Sequence, residues 1–405
     1  MSIETSAGLV AEKLEKSDYV RVFGHHDADG IAAASIICHA LYRQGKKFHL
    51  SIKSGIKPED IRSHEITVLC DLGSSMEDLP EDTVVIDHHI PCFNGEYHIN
   101  PRLFGIDGEL DLAASAVAYM VADHMGDNRD LCSLALLGMI GDHQEIAGKN
   151  AGIVNEGIAN QFITPGRGIP LAGDDITEKI YTATDPYLPG ISGNPEKAQK
   201  MVEKHFDDGE NGYEQLLSAI VLDTVSASNE RAMYSLWGDT WELQRAVIHD
   251  AHTLASVTES CGLSGRGGLA AMLCMRNDEA VDEAKEIALK HRLETIEAIV
   301  SAKRYNETGP AIFKIENPSV SSSVADVLAR DGLLDMPVLT IAKINGNYSV
   351  SARCPARINI DLSTVMKEAA GSVGGTGGGH RSRAGAKIGE DQLMPFIKNI
   401  EEALA

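Results

Sequence analysis

The feature that most constrains this 405-residue chain is a short acidic motif between a strand-like run and a helix-like run. The run Tyr19–Phe23 is followed by Gly24-His25-His26-Asp27-Ala28-Asp29-Gly30, and the alanine-rich segment 31–38 comes next. Branched and aromatic residues favour a strand, whereas alanine favours a helix. The pattern predicts a βα unit of a parallel sheet. It places the motif at the carboxyl end of the strand, where open α/β sheets bind their ligands.

Three further apolar runs end in acidic residues, at Val68–Asp71, Val84–His89 and Met139–His143. One acidic residue after such a run is typical of a turn or a helix cap. Four in succession predict a site for two divalent cations, which need several ligands each and at least one shared carboxylate. Carboxylates with a few imidazoles suit manganese or magnesium, and the lack of paired thiolates argues against structural zinc. The chemistry typical of such a site is phosphoester hydrolysis.

The composition favours a cytoplasmic enzyme of two or three domains. A chain of this length can bury more than one core. Its seven cysteines form no CxxC pair, which favours reduced thiols over a disulfide framework. No apolar stretch reaches the roughly 18 residues of a membrane span, and the polar start Met1–Thr5 does not have the pattern of a signal peptide. We therefore expect a cytoplasmic protein without membrane contact.

The formal net charge of −23 argues against non-specific binding of long duplexes, because phosphate binding normally leaves a basic surface. The charge is uneven, since residues 351–405 contain seven lysines and arginines against six acidic residues. This balance is compatible with a small polyanionic substrate, provided that metals and a few arginines hold it. A solvated surface suited to a salty cytoplasm explains the acidity equally well.

Three regions are expected along the chain. Residues 1–165 alternate strand-like and helix-like segments and predict a parallel sheet with crossover helices. Residues 166–305 are expected to be a linker followed by a largely helical region that ends in a long amphipathic helix. Residues 306–405 predict a smaller α/β region that ends in a helix after Gln392. The predicted fold class is therefore α/β with a helical middle.

Several elements are predicted within these regions. The runs 112–125 and 131–140 are expected to be buried helices. The glycine- and proline-rich passages 165–170 and 184–190 are interpreted as linkers or irregular connections. The last region contains three strand-like runs, at 311–315, 338–342 and 348–353.

The last region also carries a glycine-rich segment, Gly374–Gly385, that includes His380, Arg381 and Arg383. Glycines let backbone amides approach a phosphate, and basic side chains add charge. A flexible loop is the more common explanation of such a run. Its position beside basic residues favours substrate binding. Arg353, at the end of a strand-like run, is either a second anion contact or a surface arginine.

The ordered motifs resemble those of the DHH phosphoesterase superfamily. The matching residues are His25–Gly30, Asp71, Asp87–His89 and Asp142. The segments Gly377–His380 and Ala384-Gly385 resemble the signature of the DHH-associated C-terminal domain. Within the superfamily, the chain length and the passages Thr184–Pro186 and Gly265–Gly268 are most similar to archaeal RecJ-like single-strand exonucleases.

The resemblance implies two cation sites that share one bridging carboxylate. The implied ligands are His25, Asp27 and Asp71 for one cation, and Asp29, Asp71, His88 and Asp142 for the other. His89 is implied to face the scissile phosphate, and Asp87 to orient a histidine. The implied ions are two Mn²⁺, with Mg²⁺ as the alternative. His26 and His143, which lie beside the motif positions, are interpreted as solvated or structurally satisfied.

The resemblance also implies a substrate-binding role for the C-terminal region, which is expected to close over the metal site. The implied substrate contacts are Arg353, Gly378, Gly379, His380, Arg381 and Arg383. A site of this kind is expected to admit a single strand and to exclude a duplex.

Three functions are compatible with these motifs. The first is a metal-dependent exonuclease that degrades single-stranded DNA or RNA from an end, in DNA replication or repair. The second is a nanoRNase or a phosphoadenosine phosphate phosphatase. The third is a replisome scaffold that binds the GINS complex or other replisome proteins. The presence of acids and histidines at all motif positions argues against a purely structural role.

Overall fold

The computed structural model describes residues 2–62, 65–206, 212–306, 309–332, 334–355 and 357–404. In chain order, the strands in this part of the chain are β1 (Tyr19–His25), β2 (Lys47–Lys53), β3 (Ile66–Cys70), β4 (Val84–Ile86), β5 (His98–Ile99), β6 (Ile163–Gly168), β7 (Gly238–Leu243), β8 (Ala311–Lys314), β9 (Val338–Ile344), β10 (Asn347–Arg353), β11 (Thr376–Gly379) and β12 (Arg383–Gly389).

Among the described residues, two helices flank β1, whereas β2 to β5 follow one another without an intervening α-helix and three helices come after β5. In chain order, the helices are α1 (Ile3–Glu15), α2 (Ala28–Arg43), α3 (Ala114–His124), α4 (Cys132–Gly141), α5 (Gly148–Ala159), α6 (Ile176–Tyr181), α7 (Pro195–His205), α8 (Gly212–Thr224), α9 (Glu230–Tyr234), α10 (Ala251–Leu263), α11 (Gly267–Cys274), α12 (Val281–Ser301), α13 (Ser321–Arg330), α14 (Leu362–Ser372) and α15 (Leu393–Ala403). None of the described helices combines the length and apolar character that a membrane crossing requires.

The chain divides into two compact units. The first comprises Met1–Arg167 and Asp239–Ala288, and the second comprises Gly168–Gly238 and Leu289–Ala405. The predicted middle region is therefore shared between the units. The return of α10 and α11 to the first unit has a physical cause, because their apolar side chains belong to its core. The boundaries expected at residues 165 and 305 remain a prediction.

The first unit is built on a five-stranded sheet in the order β2-β1-β3-β4-β5, and its strand pairs are parallel. Helix α2 follows β1 and is buried almost throughout its length. Alanines dominate its first half, so neighbouring elements can pack closely around it. Small side chains allow neighbouring helices to approach closely without a loss of packing density. The predicted α/β class with a parallel sheet is confirmed, as are the two helices expected after residue 112.

One prediction about the middle region is wrong. Residues 163–168 form β6, which pairs with β7, so part of the expected linker is a strand. The glycines and the proline of this run indicated a turn, yet they are tolerated because a two-stranded sheet leaves one edge of each strand unpaired. The described part of the region expected to be largely helical contains α7 to α12 together with strand β7. The long helix predicted at its end is confirmed as α12.

The second unit contains another five-stranded sheet, in the order β11-β12-β10-β9-β8. Strands β8 and β9 are parallel, and the other pairs are antiparallel. Alternate residues of the sheet point to opposite faces. Ile312 and Val350 pack with Met366 and Phe396 of α14 and α15, whereas Phe313 packs with α13. The three strands predicted before residue 355 and the final helix are confirmed.

Candidate metal centre

The strand register aligns the predicted motifs at one edge of the first sheet. Gly24 pairs with Cys70, and Cys70 pairs with Ile86, so β1, β3 and β4 end at the same level. The residues that follow are the acids and histidines of the motifs. In the order β2-β1-β3, the chain reverses its direction of winding between β1 and β3, and ligand sites of open α/β sheets form at such a switch point.

Asp27 and Asp29 lie at the start of α2 and make different contacts. The Asp27 carboxylate caps the helix, accepting from the Gly30 amide at 3.0 Å. Its other oxygen lies 2.6 Å from His25 Nδ1. The fully buried Asp29 accepts from the amides of Ala114 and Ser115 at 2.8 and 3.0 Å, and so caps α3. Both carboxylates are fixed by backbone groups before any ligand arrives.

A glycine on α4 makes room for Asp29. A Cβ atom at Gly138 would lie 2.2 Å from Asp29 Oδ1 and 2.2 Å from Ser115 Oγ. Any side chain at this position would push α4 away from α2 or displace the carboxylate. The close packing of α2 and α4 therefore depends on Gly138 and brings Asp142, at the end of α4, to the same site.

Asp71 follows β3 and lies at the centre of the group. Its φ of 58° is uncommon for a residue other than glycine, and its amide donates to the Ile86 carbonyl at 2.8 Å. Its Oδ2 lies 3.1 Å from His25 Nδ1, and its Oδ1 lies 3.1 Å from His88 Nε2. Within the described residues this buried oxygen accepts no hydrogen bond, although His88 and His89 lie within ion-pair distance of it.

Asp87 is saturated with hydrogen bonds. Its Oδ1 accepts from the amides of His88 and His89, at 2.7 and 3.1 Å, and its Oδ2 accepts from the Ser74 amide at 3.0 Å. Oδ1 also lies 2.6 Å from His89 Nδ1. The carboxylate therefore fixes both the turn after β4 and the orientation of the His89 ring.

His88 and Asp142 close the group from the other side. His88 Nδ1 donates to the Gly108 carbonyl at 2.5 Å, which leaves Nε2 as the nitrogen that lies 3.2 Å from Asp142 Oδ2. Asp142 follows helix α4, the buried helix expected at residues 131–140, so this fourth acidic junction ends a helix and not a strand. A short apolar run without turn residues does not distinguish a strand from a buried helix.

The pKa shifts in this group indicate that its negative charges outnumber its positive ones. Burial, with the nearby Asp29, raises the pKa of Asp142 to about 8. Burial and Asp71 raise the pKa of Asp29 to about 6. Burial alone would lower the pKa of His89, but Asp87 and Asp71 raise it to about 10. Burial is likewise overcome at His25 by Asp27 and Asp71, and at His88 by Asp71 and Asp142, so the pKa values of both histidines are raised.

The donor set fits divalent cations. Three groups of ligand atoms lie within 4.8 Å of one another: His25, Asp27 and Asp71; Asp29, His88 and Asp142; and Asp71, Asp87, His88 and His89. Asp71 belongs to the first and third groups, and His88 belongs to the second and third. Carboxylate and imidazole donors of this kind are suited to manganese or magnesium. Asp71 Oδ1, which is buried and accepts no hydrogen bond from the described residues, is the atom that most needs a cation.

Sequence reasoning missed the contribution of α10. Glu259 Oε2 accepts from the Ala28 amide at 2.6 Å, inside the first motif. Gln144 was missed as well, and its side chain donates to the same Gly108 carbonyl as His88, at 3.0 Å. Glu259 lies more than 200 residues from the motif and sits in an ordinary helical pattern, so no local signal marks it.

The predicted substrate residues lie in the second unit. Arg353 was expected to contact an anion or to be a surface arginine, and its side chain is only 12% exposed. Its guanidinium pairs with Asp326 through contacts of 2.5 and 3.1 Å. Arg383 Nη2 lies 3.2 Å from the same carboxylate, and Arg381 donates to Asn359 Oδ1 at 2.7 Å. Arg353, Arg383 and Asp326 form what we call the arginine–aspartate cluster.

The glycine-rich run is a strand at residues 376–379, so a flexible loop is wrong there. Gly378 and Gly379 pair with Gly385 and Ala384 of β12. A Cβ atom at Gly377 would lie 2.2 Å from the Met366 carbonyl oxygen, so this strand packs directly against the backbone of α14. His380 follows the strand, and its amide donates to the Arg383 carbonyl at 2.7 Å.

Two family models match the chain. The DHH family, N-terminal domain, matches residues 19–140, and the DHHA1 domain matches residues 310–405. Among curated proteins, the Uncharacterized protein MJ0831 of Methanocaldococcus jannaschii is 28% identical, over 99% of this chain and 97% of its own length.

Solved structures share the fold at low identity. RecJ from Thermus thermophilus in complex with Mn²⁺ is 18% identical with a TM-score of 0.63, and the match covers 99% of this chain and 54% of that one. The present chain thus spans about half of the Thermus protein. An exonuclease RecJ bound to manganese, also 18% identical, has a TM-score of 0.59 with 100% and 94% coverage. CDC45 from Entamoeba histolytica is 10% identical with a TM-score of 0.64, over 99% of this chain and 98% of its own.

These findings agree with the ordered motifs and with the parallel sheet that carries them. The two domain matches lie at opposite ends of the chain, in the order that the motifs indicated. The structural similarities establish the fold. The chain therefore belongs to the DHH superfamily of phosphoesterases and has a RecJ-like fold, with a DHH domain followed by a DHHA1 domain.

Proposed function

We propose that the protein is a phosphodiesterase that uses two divalent cations to hydrolyse single-stranded DNA or RNA from an end, in DNA replication or repair. The observation that carries this proposal is the convergence of five carboxylates and three histidines on one edge of the first sheet. They are Asp27, Asp29, Asp71, Asp87, Asp142, His25, His88 and His89, and we call them the acid–histidine cluster. The similarity to RecJ structures that contain Mn²⁺ supports the choice of cation.

Six residues of the cluster are proposed as ligands. His25, Asp27 and Asp71 would hold one Mn²⁺, and Asp29, Asp71, His88 and Asp142 would hold the other. The two groups of ligand atoms meet around Asp71, whose oxygens face His25 on one side and His88 on the other. When bound, a pair of divalent cations stabilises charge on the attacking and leaving oxygens of an in-line phosphoryl displacement. Mg²⁺ is the alternative ion.

His89 is proposed as the catalytic residue that contacts the scissile phosphate or protonates the leaving oxygen. Asp87 holds its Nδ1 at 2.6 Å and so fixes the ring. In the metal-free protein, Asp87 and Asp71 raise the pKa of His89 to about 10, although burial alone would lower it. A ring fixed in this way suits either role. Asp87 itself acts as the orienting partner of His89.

The second unit is proposed to bind the nucleic acid. Its candidate contacts are Arg353, Gly378, Gly379, His380, Arg381 and Arg383. The ion pair with Asp326 limits what Arg353 can contribute, because a phosphate would have to compete with an existing carboxylate. His380 and Arg381, which lie in the turn between β11 and β12, are therefore the first residues to test.

End-labelled single strands test this function. The substrates are DNA and RNA oligomers from two nucleotides upwards, incubated with Mn²⁺, with Mg²⁺ or with chelator. We expect metal-dependent shortening of long strands from one end. Cleavage confined to the shortest substrates would support the nanoRNase or phosphatase alternative. The products of single-turnover reactions, separated by length, reveal which end is attacked.

The similarity to CDC45 supports a second candidate, in which the same fold binds partners within a replisome, such as the GINS complex. The two candidates differ in what they require of the acid–histidine cluster. A binding protein has no need of buried carboxylates with raised pKa values, which cost stability. A protein that captures GINS but leaves every strand intact under all metal conditions would support this candidate instead.

A further inference from the structure

We propose that Glu259, on α10, is a positioning residue of the metal centre. The proposal rests on the proposed function and extends it to a helix that neither the motifs nor the ligand sets include. Helix α10 belongs to the first unit, although about 220 residues separate its start from the first motif. Two contacts from one face of this helix reach the backbone of the motif.

The first contact is a hydrogen bond to the peptide between two proposed ligands. Glu259 Oε2 accepts from the Ala28 amide at 2.6 Å. Ala28 is the first residue of α2, and the first amides of a helix have no partner inside the helix. Asp27 already serves the Gly30 amide. Glu259 thus anchors the peptide that joins Asp27 to Asp29, each proposed to hold a different cation.

The second contact comes one turn further along α10. A Cβ atom at Gly262 would lie 1.7 Å from the His26 carbonyl oxygen, so helix and motif touch backbone to backbone. Residues three apart lie on the same face of a helix, and Glu259 and Gly262 therefore face the motif together. A Cβ atom at Gly141 of α4 would likewise lie 2.6 Å from the Ala28 Cβ atom. The motif is held between α4 and α10.

The carboxylate does more than a neutral acceptor would. A negative charge at the start of α2 is favourable to the helix dipole. The same charge lies beside a group of carboxylates that already repel one another, and it increases the attraction of the site for cations. Replacement by glutamine keeps an acceptor oxygen and removes the charge, whereas alanine removes both. The pair of variants separates positioning from charge.

Calorimetric titration with Mn²⁺ provides the main readout, on the full-length protein treated with chelator and then dialysed. Glu259→Ala is expected to weaken Mn²⁺ binding by about 10- to 100-fold, as is typical when a partner that orients a metal site is lost. We expect its kcat on a labelled oligonucleotide to fall while KM stays close to that of the wild type. Glu259→Gln should recover most of the kcat, because it can still accept from the Ala28 amide.

A matched control distinguishes positioning from general stability. Glu156 lies on α5 of the same unit and accepts from the Tyr119 hydroxyl at 2.9 Å. Glu156→Ala is expected to lower the melting temperature and to leave Mn²⁺ affinity at the wild-type value. Gly262→Ala provides a second variant that keeps the carboxylate and displaces α10 from the motif, and it too should weaken Mn²⁺ binding.

The outcomes are distinguishable from failure of the proposed function. Wild-type affinity and kcat in both Glu259→Ala and Gly262→Ala would overturn the inference alone and reduce Glu259 to a helix cap. If Glu156→Ala weakened Mn²⁺ binding and lowered kcat as much as Glu259→Ala does, the inference would also be overturned, because the losses would then reflect general stability. A wild-type protein that binds no Mn²⁺ would overturn the proposed function and the inference with it.

Discussion

Each unit contains a cluster of charges around buried or half-buried carboxylates, and the two clusters differ in whether those charges are balanced. In the acid–histidine cluster, burial and mutual repulsion raise the pKa values of Asp142 and Asp29 to about 8 and about 6. In the arginine–aspartate cluster, Arg353 and Arg383 overcome the effect of burial and hold the pKa of Asp326 well below its usual range. The acid–histidine cluster therefore needs bound cations to balance its charge, whereas the guanidiniums of Arg353 and Arg383 balance Asp326 within the protein.

The difference separates two kinds of charged residue that look alike in a sequence. A buried carboxylate with a guanidinium partner belongs to the architecture, and its removal should cost stability. A buried carboxylate whose neighbours are other carboxylates destabilises the metal-free protein and is expected to serve a ligand. Loss of a carboxylate from the acid–histidine cluster should therefore lower activity without lowering the stability of the metal-free protein. Loss of the Asp326 carboxylate should lower stability.

The largest effect is expected from Asp71→Asn. Asparagine tolerates the positive φ of this position better than alanine does, so the backbone should keep its conformation. Loss of the shared carboxylate is expected to lower kcat by at least about 100-fold and to weaken Mn²⁺ binding. Hydrolysis of labelled strands and calorimetric titration measure the two effects. Near-normal activity would remove Asp71 from the proposed bridge.

Asp326→Asn tests the second cluster. The substitution leaves two guanidiniums next to each other without a carboxylate, and we expect a loss of about 2 to 3 kcal/mol in the free energy of unfolding. Urea denaturation at neutral pH measures it, and Mn²⁺ affinity should not change. A variant as stable as the wild type, or one with weakened Mn²⁺ binding, would contradict the view that this cluster is architectural.

Asp142→Asn is expected to raise the free energy of unfolding in chelator, whereas Asp326→Asn lowers it. In chelator, the folded protein holds the Asp142 proton with a pKa of about 8, above the usual value of 3.8. The stability that this proton provides is complete below about pH 4 and is lost as the pH rises towards 8. At pH 8 the variant is expected to be about 1 to 2 kcal/mol more stable than the wild type. Saturating Mn²⁺ should reverse the order, because binding stabilises the wild type.

His380→Ala is expected to have the smallest effect. If the turn after β11 binds substrate, KM for a labelled oligonucleotide should rise by a few-fold, while Mn²⁺ affinity and the free energy of unfolding stay within error. Arg167→Ala is a suitable control, because its exposed ion pair with Asp239 belongs to the first unit and neither residue is part of the DHHA1 match. Weaker Mn²⁺ binding together with a higher KM would assign His380 to the metal centre.

The sequence predicted the parts of the fold that depend on short-range patterns. Strand β1, the acidic turn and helix α2 follow from residues 19–43 alone, and each ordered motif lies where the strand register brings it. The helix before Asp142 was expected from the length of the apolar run 131–140, although Leu134–Ile140 alone has no periodicity that distinguishes a helix from a strand. The glycine-rich run could not be assigned to strand β11 for a different reason. Its packing against α14 needs only glycines, and a run of glycines has no apolar–polar alternation that would indicate a strand.

The parts that could not be predicted depend on partners far away in the chain. Asp326 determines the role of Arg353, yet 27 residues separate them and no motif contains the aspartate. Glu259 contacts Ala28 across 231 positions. Such pairs are products of tertiary packing, and a single sequence carries no signal that joins them. Arg353 and Arg383 were therefore chosen as substrate residues for their charge, which ignores the Asp326 carboxylate that already binds them.

We propose that two cations complete the acid–histidine cluster. Calorimetric titration of the chelator-treated, dialysed protein with Mn²⁺ at neutral pH counts these ions without any assumption about substrate. We expect two ions for each chain of the wild type, and a stoichiometry below two for Asp71→Asn. A wild-type protein that binds no Mn²⁺, or an Asp71→Asn variant that binds as many ions as the wild type, would show that the cluster is not such a site.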